Sequence, residues 1–574
     1  MANESTFAIG ELLPAIGGRL LHGNPDIRFG NYCIDSRYVD HRTLFVPLMG
    51  QSRDGHQFII DSIGKGAVAC FVRTGHHQIH EILSWLRSQV QRGFLEFEDV
   101  CVIEVRHTLV SLQKMAEWFR RQFDTKVIGI TGSVGKTGTK EMLIQLLSKR
   151  FQTVGTEKNF NNEIGVPLAL SRINAYTEMT VVEMAMRARG EISLLSRISH
   201  PNIALITNTS GSHVGRLGSF EEVYKAKGEI VDGLVPGGTV VLNRRDENLF
   251  GILNEISSRK ASRDEYELMF FDASEAYRNC GIPPFITRND NFELPLDLPE
   301  ADVWLEDVEL LGIDGSRFML CTREGKVQVQ LQMLGRGAIE NLTAAAAAGL
   351  SMGLTLDDIA EAAPELLPAP QRLNLFQLGQ DLFLVDDCYN SSPASVRDSL
   401  ELLLNIDDSF EKILVIGDML ELGKYETLLH RQCALTTLNL PLKQVYAIGP
   451  RMNAFNEVEG MDDVELFYIE GRSELEASMG FRPEDRSFGA PMHGERSNRE
   501  FGAPMRGGRG AQQNNDTRQR GDTVILDDRA ASKLSALLLS AINRNDKPKV
   551  VMVKGSRALH LERVVNDLLN GTAV

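Results

Sequence analysis

The chain has 574 residues, 43% of them hydrophobic and 24% charged, with a net charge of −16. That length predicts two to four domains, each apolar enough to bury a core. The acidic balance excludes nonspecific binding to nucleic acid or anionic membrane as the main task.

The opening stretch MANESTFAIGELLPAIGGRL has no basic segment followed by an apolar core, so it does not read as a secretory signal. No apolar run reaches the roughly 18 residues a spanning helix needs. Seven cysteines are scattered without a CxxC pair, which fits buried thiols in a reducing compartment. A cytoplasmic protein, a monomer, is the expectation.

Residues 1–122 read as a small mixed α/β domain. TLFVPLMG (43–50) and AVACFV (67–72) are strand-like apolar runs. LVSLQKMAEWFRRQF (109–123) has helical spacing and a basic end. From Val127 the pattern becomes strand, turn, helix, repeated through VIGI, TVVEMAM, IALITN and GTVVLN. Short Val/Ile runs alternating with helical segments predict a parallel sheet covered on both faces, here over 123–362. LFLVDD, KILVIGD, QVYAIG and KVVMVKG repeat that pattern in 363–574 and predict a second, Rossmann-like doubly wound sheet.

Residues 482–522 break the pattern. They hold no Leu, Ile or Val, and carry FGAPM twice and eight arginines. Such a stretch cannot bury enough apolar surface to offset the entropy of ordering, so a disordered insertion is expected. The alternative is a docking element for a partner.

TGSVGKT, with Thr131, Gly132, Ser133, Val134, Gly135, Lys136 and Thr137, follows a predicted strand and opens a predicted helix. Glycines let successive N–H groups curl toward phosphate oxygens, and the helix N-terminus adds positive potential. In this context Lys136 can reach the outer phosphates of ATP and Thr137 can ligate magnesium. Ile130 stands where the common GxxxxGK[ST] form has its first glycine.

Other motifs extend beyond the loop. KNFNNEIGVPLAL (158–170), VVEMAMRARGEISLLSRISHPNIALITNTSGSHVG (181–215) and YKAKGEIVDGL (224–234) lie in the central block. DDCYNSSPASVRDSL (386–400), LVIGDMLELG (414–423) and VKGSRALHLERVV (553–565) lie in the last. Together they closely resemble the Mur ligases, and IDSRYVDHRTLFVPLMGQSRDGHQFI (34–59) resembles that family's UDP-binding domain. GDMLELG and NFNNEIGVP point to the branch that adds D-alanyl-D-alanine.

The resemblance implies ATP- and Mg²⁺-dependent amide synthesis in peptidoglycan precursor assembly. The carboxylate of UDP-N-acetylmuramoyl-tripeptide takes the γ-phosphoryl group, and the amine of D-alanyl-D-alanine attacks the acyl phosphate. It implies magnesium ligation by Glu183, His213 and a carbamylated Lys227. It implies contact with the UDP substrate by Asp35, Ser36, Arg37, Asn159, Asn161 and Asn162. Asn341 is implied at adenine, Arg372 at the γ-phosphate, and Asp387, Tyr389, Asn390 and Lys554 around nucleotide and amine. Gly337-Ala338, Gln371, Cys388 and Ser392 depart from the family's usual His-Asn, Gly, Ser and Asn. The alternatives are a sister ligase with another amino acid or a folate acceptor, and a weakened member retained as a scaffold.

Overall fold

The computed structural model describes residues 6–50, 53–96, 99–157, 160–209, 217–260, 262, 265–278, 280–283, 285, 298–458, 464–469, 528–543 and 547–571. The 482–522 insertion lies outside them. The chain divides into two compact units. Met1–Gly281, Arg288–Ala369 and Glu421–Lys424 form the first; Ile282–Thr287, Pro370–Leu420 and Tyr425–Val574 form the second.

The first unit carries two large sheets. In the N-terminal one, β1 (Arg19–His22), β2 (Asn31–Cys33), β3 (Thr43–Phe45), β4 (Ala69–Arg73) and β5 (Cys101–Val105) lie in the order β1-β5-β4-β3-β2. All neighbours are parallel except β1 and β5. Leu44, Phe45, Cys70, Phe71 and Ile103 are fully buried on alternating faces, as strands covered on both sides require.

A nine-stranded sheet follows. Its strands are β6 (Lys126–Thr131), β7 (Thr153–Gly155), β8 (Met179–Glu183), β9 (Ile203–Ile206), β10 (Gly238–Asn243), β11 (Tyr266–Asp272), β12 (Val303–Leu310), β13 (Ser316–Thr322) and β14 (Gly325–Leu331). They run in the order β14-β13-β12-β11-β10-β9-β6-β8-β7. From β7 to β12 every pair is parallel; β13 and β14 add an antiparallel hairpin. Strands β7 and β8, which follow β6, lie on one side of it, and β9 and later strands lie on the other, so the carboxyl end of β6 is the switch point where α/β sheets bind ligands. The phosphate-loop candidate sits there.

Helix α1 (Lys136–Ser148) leaves that loop and packs beside α2 (Arg336–Ser351). The run Ala344–Ala348 is almost wholly buried. Small side chains let the two backbones approach closely, and the approach carries Asn341 onto the phosphate loop. Polar bonds join the N-terminal and central parts of this unit, among them Tyr32 Oη to the Pro167 carbonyl at 2.6 Å, Gln113 Nε2 to that of Glu163, and Arg120 Nε to that of Ser199.

The second unit is built on β15 (Asn374–Gln377), β16 (Leu382–Asp387), β17 (Glu411–Gly417), β18 (Gln444–Ile448), β19 (Glu465–Ile469) and β20 (Lys549–Lys554). Their order is β15-β16-β20-β17-β18-β19, parallel except at β15–β16. The four apolar runs expected as strands are β16, β17, β18 and β20. Helix α3 (Pro393–Asn405) starts at Ser392, whose hydroxyl and backbone form a capping box with Ser395. The serine in place of the family's asparagine therefore serves as a helix cap.

Candidate active site

Thr131 ends β6, and Gly132 to Gly135 turn the chain into α1. Gly135 has φ 88°, which a side chain resists, and a Cβ there or at Gly138 would collide with the Asn341 carboxamide. Lys136 Nζ folds back onto the carbonyls of Gly132 (2.7 Å) and Ser133 (3.1 Å). Thr137 follows on the first turn, half-buried.

Two residues at the end of β9 brace this loop. Thr207 Oγ1 donates to the Val134 carbonyl at 2.6 Å. Asn208 accepts the Val134 N–H on Oδ1 (2.9 Å), donates to the Val134 carbonyl, and accepts the Ser133 N–H on its own carbonyl. Motif reading passed over both. Their signal was topological: polar residues ending the strand beside the loop's own strand.

Glu183 ends β8 on the other side and is 2% exposed. Its Oε1 accepts from Asn161 Nδ2 at 2.8 Å. Its Oε2 is buried with no hydrogen bond among the described residues. An anionic oxygen left open beside a phosphate loop is what a hard divalent cation binds. Asn162 Oδ1 instead accepts the N–H groups of Ile164 and Gly165, where the helix Gly165–Leu170 begins. Asn159 and His213 lie outside the described residues. Just before the His213 segment, Thr209 is pinned by Asp246, which accepts its N–H and its hydroxyl.

Lys227 is fully buried and its Nζ has no hydrogen bond among the described residues. Burial first, and the charge of Lys136 second, push its ammonium well below the ordinary lysine range, against the pull of Glu183 and Glu229. Burial thus favours the neutral amine, the nucleophilic form that carbamylation by CO₂ requires. The adjacent Glu229 is occupied elsewhere: its carboxylate accepts the Gly190 and Ser193 N–H groups at the start of the helix Glu191–Ser199.

Asn341 takes the Thr139 hydroxyl on Oδ1 at 3.2 Å. The asparagine expected at adenine thus sits over the loop glycines. Its neighbour Glu340 accepts from Asn243 Nδ2 (3.0 Å) and Tyr277 Oη (2.9 Å).

Asp35, Ser36 and Arg37 follow β2. Arg37 is exposed and binds the Asp35 carboxylate through Nε and Nη2, while Lys65 Nζ donates to the Ser36 carbonyl. Along the same carboxyl edge, Arg53, Asp54, Gln57, Phe58, His77 and Gln78 line a concavity of about 540 Å³. Below it, Asp54 accepts His56 Nδ1 (2.6 Å) and His76 Nε2 (2.8 Å), and the two imidazoles stack at 3.9 Å. The far nitrogens, His56 Nε2 and His76 Nδ1, accept the backbone N–H groups of Arg73 and Gln78. Each Asp54-facing nitrogen therefore carries the proton. The trio is a hydrogen-bonded clamp between two loops rather than a metal site, because a metal would have to strip both imidazoles.

In the second unit, Lys554 Nζ lies 2.7 Å from Asp387 Oδ2 and donates to the Asn390 carbonyl; Ser399 Oγ also donates to Asp387. Arg372 stacks its guanidinium over the Tyr389 ring at 4.4 Å. Gln371, at the family's usual glycine, has φ 62°, and its carbonyl accepts the Tyr389 N–H. Cys388 is buried, donates to Asp386 Oδ1, and has its thiol pushed up by burial and by that carboxylate. All five residues expected in this block are thus drawn into one cluster at the carboxyl ends of β16 and β20.

A phosphate loop at the switch point, an open buried carboxylate and a fully buried lysine are the equipment of a nucleotide-dependent group-transfer enzyme. The comparisons give the family. Residues 130–349 match the Mur ligase middle domain. The chain is 32% identical over 421 residues to the UDP-N-acetylmuramoyl-tripeptide–D-alanyl-D-alanine ligase of Bacillus subtilis, covering 73% of this chain and 80% of that one. It is 31% identical over 464 residues to the ligase of that name in Synechocystis, covering 80% and 88%. The fold matches MurF from Acinetobacter baumannii with a TM-score of 0.72 at 23% identity over 99% of this chain and 100% of that one. It also matches MurF ligase from Thermotoga maritima in complex with ADP, with a TM-score of 0.65 at 22% identity over 95% and 98%. The chain belongs to the Mur ligase family.

Proposed function

We propose that this chain is the ATP-dependent ligase that joins D-alanyl-D-alanine to UDP-N-acetylmuramoyl-tripeptide in the cytoplasm. One observation carries the chemistry: the phosphate loop shares its sheet edge with a buried, open Glu183 carboxylate. The relatives' names supply the substrates. The functional division is three domains, 1–122 for the UDP moiety, 123–362 for ATP and 363–574 for the amine, with Asp35, Ser36 and Arg37 in the first.

A carboxylate is a poor electrophile at neutral pH, and phosphorylation gives it a leaving group. The tripeptide carboxylate oxygen attacks the γ-phosphorus of ATP, and ADP leaves. The amine of D-alanyl-D-alanine then attacks the acyl carbon, and inorganic phosphate departs as the amide forms. Lys136 exchanges its two loop carbonyls for phosphate oxygens, and loop N–H groups hold the charge spread over the transferring group. Thr207 and Asn208 keep the loop in shape before the nucleotide arrives. Glu183, Thr137 and a carbamylated Lys227, with His213, would hold magnesium, which when bound neutralises phosphate charge. Arg372 is assigned to the γ-phosphate, and Asp387, Tyr389, Asn390 and Lys554 to the nucleotide and incoming amine. No membrane-spanning helix occurs among the described residues.

Phosphate release from ATP, measured with UDP-muramoyl-tripeptide and each candidate amine in turn, tests this reading. D-alanyl-D-alanine alone should sustain turnover. Preference for a single amino acid or a folate acceptor would move the chain to a sister activity, and no turnover with any amine would make it a scaffold.

A further inference from the structure

We infer that Lys140 is a positioning residue that holds the Glu183 carboxylate open for a divalent cation. The inference rests on reading Glu183 as a magnesium ligand and goes beyond it by naming what aims that ligand. Lys140 lies one helical turn after Lys136 on α1, so both project on the same side of the helix. A lysine with no exposed surface is rare unless its charge is matched.

Lys140 Nζ donates to the Thr156 carbonyl at 2.8 Å and pairs with Glu141 Oε1 at 2.8 Å. It stands 4.0 Å from Glu183 Oε2. At that separation it attracts the carboxylate without a hydrogen bond, so the lone pairs of Oε2 stay free. Thr156 closes the device: its hydroxyl accepts the Glu183 N–H at 3.1 Å. One residue therefore anchors the lysine through its carbonyl and the glutamate through its side chain. Asn161 fixes the other carboxylate oxygen. Glu183 is held from the helix that begins at the phosphate loop, which sets the distance between metal ligand and phosphate.

Partners of this kind behind a metal-ligating carboxylate are worth about 10- to 100-fold in metal affinity. The test is Mn²⁺ binding, read by electron paramagnetic resonance, to the full-length protein saturated with a non-hydrolysable ATP analogue. Lys140→Met should weaken Mn²⁺ binding at least about tenfold, while affinity for the analogue without metal changes less than about twofold. Lys140→Arg should recover most of the loss. A purely structural role would lower thermal stability and both affinities together. Should Lys140→Met not fold, Lys140→Gln, which keeps a side-chain donor and removes the charge, is read the same way. Unchanged or tighter Mn²⁺ binding in the folded variant overturns the proposal. Glu183→Gln separates the two readings: if it too leaves Mn²⁺ binding unchanged, the metal assignment itself fails; if it alone weakens binding, only the role of Lys140 fails.

Discussion

Asp387 and Lys554 face each other across β16 and β20 as direct register partners, with their charges 2.7 Å apart and both residues buried. Removing one member of such a pair strands the other in a medium that solvates it poorly. Lys554→Met should therefore cost the second unit about 3–5 kcal/mol of stability. Urea unfolding followed by circular dichroism reads the effect. A loss below about 1 kcal/mol would mean that water already screens the pair.

Local signals carried most of the fold into the sequence. Strands such as β6, β8 and β9 are buried on both faces and read as unbroken apolar runs. The phosphate loop was legible because a strand, a glycine turn and a helix occur in the order its chemistry needs. What stayed hidden depends on residues far apart in the chain. Thr207 and Asn208 brace the loop only because β9 pairs with β6. Lys140 reads as an ordinary helix lysine until the fold buries it. Asn341 reaches the loop because alanines 344–348 let α2 lie close to α1, which no local pattern announces. The positive φ of Gln371 accounts for a glycine being usual there in the family. In a residue with a Cβ that conformation costs about 1–2 kcal/mol, and nothing in the local sequence marks it.

Lys136→Ala should remove the donor that meets charge on the transferring phosphoryl group. Turnover should fall at least about a hundredfold, equivalent to about 3 kcal/mol of transition-state stabilisation. The replaced side chain is half-buried, and Thr207 and Asn208 brace the loop independently of it, so the melting temperature should hold. Phosphate release and a thermal scan of the same preparation decide it. Near-normal turnover would remove the phosphate-loop assignment.

The Asp54–His56–His76 clamp predicts how the N-terminal part of the first unit responds to acid. Burial holds the His56 pKa below its ordinary 6.5, against the pull of Asp54. Between those values the unfolded chain binds more protons than the folded one, so stability rises with pH through the window and is lost as pH falls below 6.5. Asp54 adds a loss in stronger acid. Burial pushes its carboxyl up, but the His56 amide and both imidazoles outweigh that and hold it well below 3.8. The urea midpoint followed by Trp85 and Trp118 fluorescence should be flat above about pH 7 and fall toward pH 5. His56→Gln should flatten that fall; an unchanged slope in the variant would acquit the clamp.

Lys227 gives the sharpest separation between chemistry and packing. As an ammonium it has three donors and no acceptor and cannot ligate a cation. As a carbamate it presents anionic oxygen, the ligand magnesium prefers. Its burial, its lack of a hydrogen bond and its depressed pKa all favour the neutral amine from which a carbamate forms. Lys227→Ala should lose most activity, and short carboxylic acids should restore part of it by occupying the vacated space. Depleting bicarbonate should lower wild-type turnover and leave the alanine variant's residual rate unchanged. Lys227→Arg keeps a cation of similar reach that cannot be carbamylated in this way, and it should be as inactive as the alanine variant. If the arginine variant turns over like the wild type, Lys227 acts through its positive charge, and no carbamate takes part.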